Sequence, residues 1–196
     1  MKILMRILIT CAKANLPLRG HNESEESLNK GVFLELVDLV ENESQTFQHL
    51  RSKVPENAKY TSGMSQNAML SAISDCALDV IGDELRSAPF YAVIADETRD
   101  IGITEQMSMC VRYVYDQMVK ERFLGFIALK KLDAGSLADA LLGALDKLGL
   151  DRNKLVGQCY DTASVMSGQV SGVQKRVRDY TGNPCMWHAQ HISYSS

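Results

Sequence analysis

The sequence predicts an α/β protein in which an α-helical N-terminal region precedes a mixed β-sheet with helices on its faces. Three observations lead to this fold class. Apolar residues recur at helical spacing in three stretches of the first 88 positions, three strand-like runs follow one another from Phe90, and helix and strand then alternate as far as Trp187. Sequential strands with short links favour antiparallel pairing, and the later alternation adds strands to a mixed sheet. We therefore expect two regions, residues 1–88 and 89–196.

The overall composition fits a folded protein. The chain has 196 residues, of which 45% are apolar and 23% charged, and its net charge is only -3. This balance excludes an intrinsically disordered chain, and the absence of a run of about 18 apolar residues argues against a membrane-spanning helix. A protein that wraps nucleic acid is usually much more basic. The 21 basic and 24 acidic residues therefore leave room only for a local basic patch.

The cysteines indicate a reducing compartment. There are 5 of them, an odd number, and no two form a C-x-x-C pair. A disulfide framework would show an even number at regular spacing, so reduced thiols are expected. We therefore expect a nuclear or cytoplasmic protein.

The N-terminal region is predicted to be helical. In residues 1–14, Ile3, Leu4, Ile7 and Leu8 have helical spacing, whereas Arg6 interrupts the apolar core that a secretory signal would need. A short helix is expected around residues 33–40. The longest helix is expected over residues 66–85, where apolar residues recur at steps of three and four.

The second region begins with the strand-like runs. The first, residues 90–95, is apolar and stops abruptly at Asp96, so we expect the strand to end there. The second, residues 107–115, alternates apolar and polar positions, and the third covers residues 122–129.

Helix and strand then alternate. Residues 136–139 resemble a capping box that opens a leucine-rich helix, which ends at Gly149. A strand over residues 155–160, a basic helix over residues 172–180 and a strand at residues 185–187 complete the predicted order.

Two of these strands run into an aspartate. Asp96 follows the first strand and Asp161 follows the fourth. If the first and fourth strands are neighbours, both carboxylates meet at one end of the sheet. Two close carboxylates repel each other unless a cation lies between them, and Mg²⁺ prefers carboxylate oxygen. Spacing alone leaves the alternative open that both residues simply end strands or cap turns.

Short motifs around these acids and upstream of them occur in an order that resembles one family. They are residues 16–21 (LPLRGH), 60–62 (YTS), 95–101 (ADETRDI), 156–161 (VGQCYD) and 166–168 (MSG). They resemble the hAT-superfamily transposase-like proteins that carry the DUF4371 domain, including the zinc finger MYM-type protein 1-like group. The resemblance covers most of residues 16–192.

The resemblance implies a ribonuclease H-like fold with a DDE-type catalytic triad. It assigns the first acid to Asp96 and the second to Asp161, which would together bind Mg²⁺ for DNA cleavage and strand transfer. The third acid, a glutamate, belongs to a later region that these 196 residues lack. We therefore expect a truncated chain without nuclease activity. Arg99, where the family usually has threonine, adds a cation near the predicted metal site.

A second interpretation stays open beside the first. The same fold could be a domesticated, non-catalytic module that binds DNA or protein, because a fold does not determine a function. The expected partners are accordingly DNA, other proteins or further copies of the chain, and no membrane.

Two smaller clusters complete the candidate sites. Lys175, Arg176 and Arg178 lie on the predicted basic helix, where they could contact DNA phosphates or simply form a solvated helix face. Cys185, His188 and His191 form a C-x-x-H-x-x-H cluster, to which Cys159 could add a fourth zinc ligand. The spacing is not that of a standard zinc finger, so a strand end with unliganded histidines is the favoured interpretation.

Overall fold

The computed structural model describes residues 1–23, 26–55, 58–99, 105–160, 172–182 and 185–188, with the backbone alone at 98–99 and 185–188. The chain divides into two compact units, Met1–Ala77 and Leu78–Ser196, and the boundary falls inside the longest helix. We call them the helical unit and the sheet unit. The division at residue 88 stays a prediction about domains.

The described residues of the helical unit form three helices and the first half of a fourth. These are α1 (Lys2–Lys13), α2 (Val32–Glu43), α3 (Gln45–Ser52) and α4 (Gly63–Ser87). The predicted helices at the N-terminus, near residue 33 and over residues 66–85 are confirmed. One core joins the elements; its buried side chains are Leu4, Ile7, Leu8, Cys11, Phe33, Val37, Phe47 and Met69.

Two glycines permit a close backbone contact between the loop after α1 and the start of α2. The Gly20 amide donates to the Lys30 carbonyl at 3.2 Å. A Cβ on Gly20 would lie 2.2 Å from the Asn29 carbonyl oxygen. Gly31 has φ +97°, and a Cβ there would lie 2.3 Å from the Gly20 nitrogen. Neither position can carry a side chain without moving the backbone.

The same loop is attached to the start of α4. The Arg19 guanidinium donates to the Gly63 carbonyl oxygen at 2.8 Å and to Asn67 Oδ1 at 2.5 Å. The buried Gln66 side chain donates from Nε2 to the Thr61 carbonyl at 2.9 Å. The motif at residues 16–21 therefore has a structural role, which is to hold the loop against α4.

Replacing Gly31 with alanine is expected to destabilise the helical unit by roughly 2–4 kcal/mol, because the new Cβ meets backbone in a conformation that is essentially restricted to glycine. The matched control is Gly143→Ala in α5 (Ala134–Lys147), where a Cβ meets nothing within 4 Å. That change is expected to stabilise the protein by about 0.5–1 kcal/mol. Urea unfolding measures both, and equal stabilities for the two variants would contradict the loop geometry.

In the described residues of the sheet unit, five strands form one sheet in the order β3-β2-β1-β4-β5. They are β1 (Tyr91–Arg99), β2 (Glu105–Tyr115), β3 (Met118–Ala128), β4 (Leu155–Tyr160) and β5 (Cys185–His188). The first three pair antiparallel, β4 lies parallel to β1, and β5 lies parallel to β4. The predicted mixed sheet, with three antiparallel strands and then alternating helix and strand, is confirmed.

Helices cover one face of this sheet. The leucines of α5 and the two valines of α6 (Val173–Thr181) share one core with the inward-facing residues of β1 and β2 and with the end of α4. The buried residues of β1 and β2 on this face are Tyr91, Val93, Ala95, Met107, Met109, Val111 and Tyr113. The other face carries Ile94, Asp96, Ser108 and Cys110, and we call it the second face.

The start of α5 differs from the prediction. Its N-cap is Asp133, whose carboxylate accepts from the Ser136 amide at 3.0 Å and from the Ser136 hydroxyl at 2.8 Å. The predicted capping box beginning at Ser136 is therefore wrong. Asp133 takes this role because its side chain satisfies two donors of the first turn, which begins at Ala134.

A polar cluster links α4 to the sheet. The Tyr113 hydroxyl donates to Glu84 Oε2 at 2.6 Å, and Lys120 Nζ donates to Glu84 Oε1 at 2.8 Å. The hydrogen bonds from Lys120 and from Tyr113 hold the pKa of Glu84 below its usual value. Burial, with help from Glu84, raises the pKa of Tyr113 to about 12.

The lowered pKa of Glu84 predicts a pH-dependent contribution to stability. Since the folded state favours the carboxylate, the contribution is present above the unfolded pKa of about 4.3 and is lost as the pH falls through the lower folded pKa. We expect Glu84→Gln to lower Tm at pH 7, and the gap to wild type to shrink in acid. Asp79→Asn, an exposed acid on the same helix, serves as the control. A gap that is constant with pH would contradict the role of the charge.

Candidate functional site

Asp96 lies inside a strand. β1 continues through Asp96 to Arg99, so the prediction that the strand ends at Asp96 is wrong. The extension exists because β2 is long enough to pair with it: Asp96 pairs with Ser108, and Arg99 pairs with Glu105. The Ser108 hydroxyl also donates to the Asp96 carbonyl at 3.2 Å. The Asp96 side chain is exposed on the second face.

β4 is the parallel neighbour of β1, as the candidate site requires. Ala92 pairs with Gly157 and Ile94 pairs with Cys159, so both strands run toward the same edge of the sheet. The described pairing between them ends at Ile94 and Cys159, two residues before Asp96 along β1. β4 itself ends at Tyr160, and Asp161 lies outside the described residues.

The donors in the described part of the chain form no metal centre by themselves. Among the described residues, no three His, Cys, Asp or Glu side chains come together as a metal-binding group. The structure thus places one acid of the predicted pair, Asp96, and leaves the position of the other untested.

Two cysteines that the sequence analysis gave no role in catalysis lie beside the site. Cys110 on β2 and Cys159 on β4 flank Ile94 from its two sides. Burial, and then the negative charge of Glu121, raises the pKa of both thiols. Both therefore stay protonated near neutral pH, which makes them poor nucleophiles. Cys11, Cys76, Cys110 and Cys159 are all free thiols.

The three predicted DNA-contact residues are together on α6, but their charges are partly compensated. Val173 and Val177 bury one side of this helix, so the basic residues lie toward its other sides. Lys175 forms an ion pair with Asp179 one turn later. Arg178 forms no ion pair with another described residue, whereas Arg176 has contacts of its own.

An aromatic contact lies at the end of the same helix. The Arg152 guanidinium lies 4.1 Å from the ring centroid of Tyr180, and the Tyr180 hydroxyl is 3.5 Å from Asp146 Oδ2. The sequence analysis missed this contact, because nothing in the local pattern connects two residues that are so far apart along the chain.

The cysteine–histidine cluster stays a prediction. The side chains of Cys185 and His188 and the whole of His191 lie outside the described residues. Cys159 is 5% exposed, and its backbone pairs with β5.

Within the described ranges, no helix combines the length and the apolar character needed to cross a bilayer.

Comparison with known proteins identifies one family. The sequence pattern of DUF4371, described as the RNase-like domain of ZMYM1/FAM200, matches residues 1–172. Two curated relatives, from mouse and human, carry the name "52 kDa repressor of the inhibitor of the protein kinase"; each is 28% identical over 185 residues, or 90% of this chain. The match covers 24% of each relative, so the chain spans about a quarter of their length.

Among the solved structures that match is the Drosophila P element transposase strand transfer complex, with 14% identity, a TM-score of 0.32, and coverage of 93% of this chain and 41% of that one.

Proposed function

Since the chain belongs to the DUF4371 family of RNase-like domains, we propose that it is a transposase-derived module with a ribonuclease H-like core. Its parent activity is metal-dependent DNA cleavage and strand transfer, and these 196 residues do not cleave DNA by themselves. The observation that carries this proposal is the parallel pairing of β1 with β4.

The sequence separation between paired residues of β1 and β4 equals the separation between the two acids. Ala92 pairs with Gly157 and Ile94 with Cys159, so the partners in each pair differ by the same interval along the chain. Asp96 and Asp161 differ by that interval too, because each follows one of the paired residues Ile94 and Cys159 by two positions. If the register continues for two residues beyond its described end, the two carboxylates become direct cross-strand neighbours.

The donor set suits Mg²⁺ in its chemistry. Mg²⁺ is commonly held by one or two carboxylates together with substrate phosphates, and the Asp96 side chain is open to solvent. Asp96 and Asp161 would hold the metal, and in paired-metal sites for phosphoryl transfer one ion activates the attacking oxygen while the other stabilises the leaving oxygen. We expect no cleavage by these residues, because they supply two carboxylates and the family triad has three.

A plasmid-nicking assay tests this proposal. Supercoiled DNA is incubated with the purified chain and Mg²⁺ or Mn²⁺, and the nicked fraction is expected to equal that of Asp96→Asn. The matched control is Asp139→Asn, an exposed acid on α5. Nicking that depends on metal, is lost in Asp96→Asn and persists in Asp139→Asn would overturn the proposed inactivity.

A second candidate function is a non-catalytic regulatory module that binds DNA. The observation that favours it is the name of the curated relatives, which describes a repressor rather than an enzyme. In this version α6 supplies phosphate contacts through Arg178 and its neighbours, and the acids are dispensable.

DNA binding separates the two candidates. If the regulatory version holds, the chain binds duplex DNA with a salt-dependent affinity that survives replacement of both Asp96 and Asp161 by asparagine. Failure to bind DNA even at low salt would rule out this version.

A further inference from the structure

We infer that the outer face of α1 is a binding surface for the phosphate backbone of DNA, separate from both the acid pair and α6. This surface lies in the helical unit and consists of Lys2, Arg6 and Lys13, which we call the α1 basic stripe. It rests on the proposed DNA-binding role and extends it by naming a second contact, and it does not require metal chemistry.

The three cations share one side of the helix. At 100° per residue, Lys2, Arg6 and Lys13 lie within an arc of about 40°, and the stripe is roughly 16 Å long. All three are exposed, and Ile9 and Thr10, which lie between them along the helix, are exposed as well. The result is a straight row of positive charge on a rigid element.

In the described part of the chain, no acid forms an ion pair with this row. The sequence of α1, KILMRILITCAK, contains no acidic residue. Across the described residues, the ion pairs of the helical unit are Lys30 with Asp38 and Arg51 with Glu41, and neither involves the stripe. This contrasts with α6, where Lys175 is already paired with Asp179.

The charge at the start of α1 also opposes helix stability. Lys2 is the first residue of the helix, where the positive end of the helix dipole disfavours a cation. An acid at this position would be the stabilising choice. A local rule broken without a compensating contact is the pattern expected of a functional residue.

Burial of the opposite side of α1 favours nucleic acid over a lipid surface as the ligand. A helix that lies on a membrane inserts its apolar side into the bilayer. Here that side is occupied, because Leu4, Ile7, Leu8 and Cys11 are buried in the core of the helical unit. Only the charged side is available, and duplex DNA offers one negative charge per about 1.7 Å of its axis.

The test is the salt dependence of DNA binding. Fluorescence anisotropy measures Kd for a duplex of arbitrary sequence at several salt concentrations, for wild type and for the triple variant Lys2→Gln, Arg6→Gln, Lys13→Gln. Three lost phosphate contacts are expected to reduce the slope of log Kd against log salt by about 2.7, at about 0.9 per contact. Circular dichroism checks folding. Tm is expected to change little, because the stripe makes no ion pairs with described residues and the unfavourable dipole interaction of Lys2 is offset by the favourable one of Lys13 in the last turn.

The matched control removes the same charge elsewhere. Lys130, Lys131 and Lys147 are exposed residues of the sheet unit, and their replacement by glutamine is expected to leave the slope within about one unit of wild type. An unchanged slope in the α1 variant would overturn the stripe and leave the binding function intact. No binding by wild type would overturn both.

Lipid is tested in the same series. Vesicles of phosphatidylserine and phosphatidylcholine are sedimented with the chain, and no co-sedimentation is expected. If wild type binds these vesicles and the α1 variant does not, while DNA binding is equal for the two, the stripe recognises a lipid surface and the inference is wrong.

Discussion

Replacing Leu141 with alanine is expected to destabilise the sheet unit by about 2–5 kcal/mol, the cost of a large cavity in a packed core. Leu141 has no exposed surface, and it lies on α5 among the residues that cover the sheet. It shares this core with buried residues of β1, β2 and α6, so the cavity cannot collapse fully. Chemical unfolding followed by circular dichroism measures the loss.

The control is on the same helix. Asp139 is exposed, and Asp139→Ala is expected to change the free energy of unfolding by no more than about 0.5 kcal/mol. If Leu141→Ala costs no more than this control, α5 does not pack against the sheet, and the fold described for the sheet unit is wrong.

Replacing Asp96 with asparagine is expected to lower the affinity for Mn²⁺, used in place of Mg²⁺, at least about tenfold. The change removes a negative oxygen ligand and leaves a neutral amide of the same size. Asp161→Asn is expected to cause a loss of similar size, because both carboxylates would hold the same ion. Isothermal titration calorimetry measures both affinities.

Asp116→Asn is the control for lost charge. Asp116 lies in the turn between β2 and β3 with φ 51°, a conformation that asparagine also accepts. Its replacement is expected to leave Mn²⁺ affinity unchanged. Equal affinities for wild type, Asp96→Asn and Asp161→Asn would contradict the proposed site.

Strong periodicity made much of the fold predictable. The leucines of α5 repeat at helical spacing and are buried on one side, and β2 alternates as a strand with one covered face does. In both elements one side contacts a single core, so the apolar residues repeat at regular spacing and the repeat is visible in the sequence. β4 was likewise predicted at residues 155–160, because its apolar run is short and bounded.

Elements that depend on a distant partner were harder to predict. α3 buries only Phe47, so its sequence shows little periodicity. The last part of β1 contains Asp96 and Glu97, which are unusual in strands, and it is a strand because β2 pairs with it. For the same reason, the sequence alone does not show that β1 and β4 are neighbours. The meeting of the two acids could be predicted only if these strands were assumed to be adjacent.

The candidate site shows the same limit. The motifs identified Asp96 and Asp161, but whether two strand positions so distant along the chain become neighbours depends on the strand order. The structure supplies that order, and it also shows that Arg19 and Asn67, which are far apart in the sequence, contact each other.

Iron-directed backbone cleavage tests most directly whether Asp96 and Asp161 share one metal ion. Fe²⁺ bound in place of Mg²⁺ generates hydroxyl radicals with ascorbate and peroxide, and these cut the chain close to the ion. The account predicts two cuts, near residue 96 and near residue 161, both suppressed by Mg²⁺ and both absent in Asp96→Asn. A cut near residue 161 that persists in Asp96→Asn, or cleavage near one of the two positions alone, would contradict it.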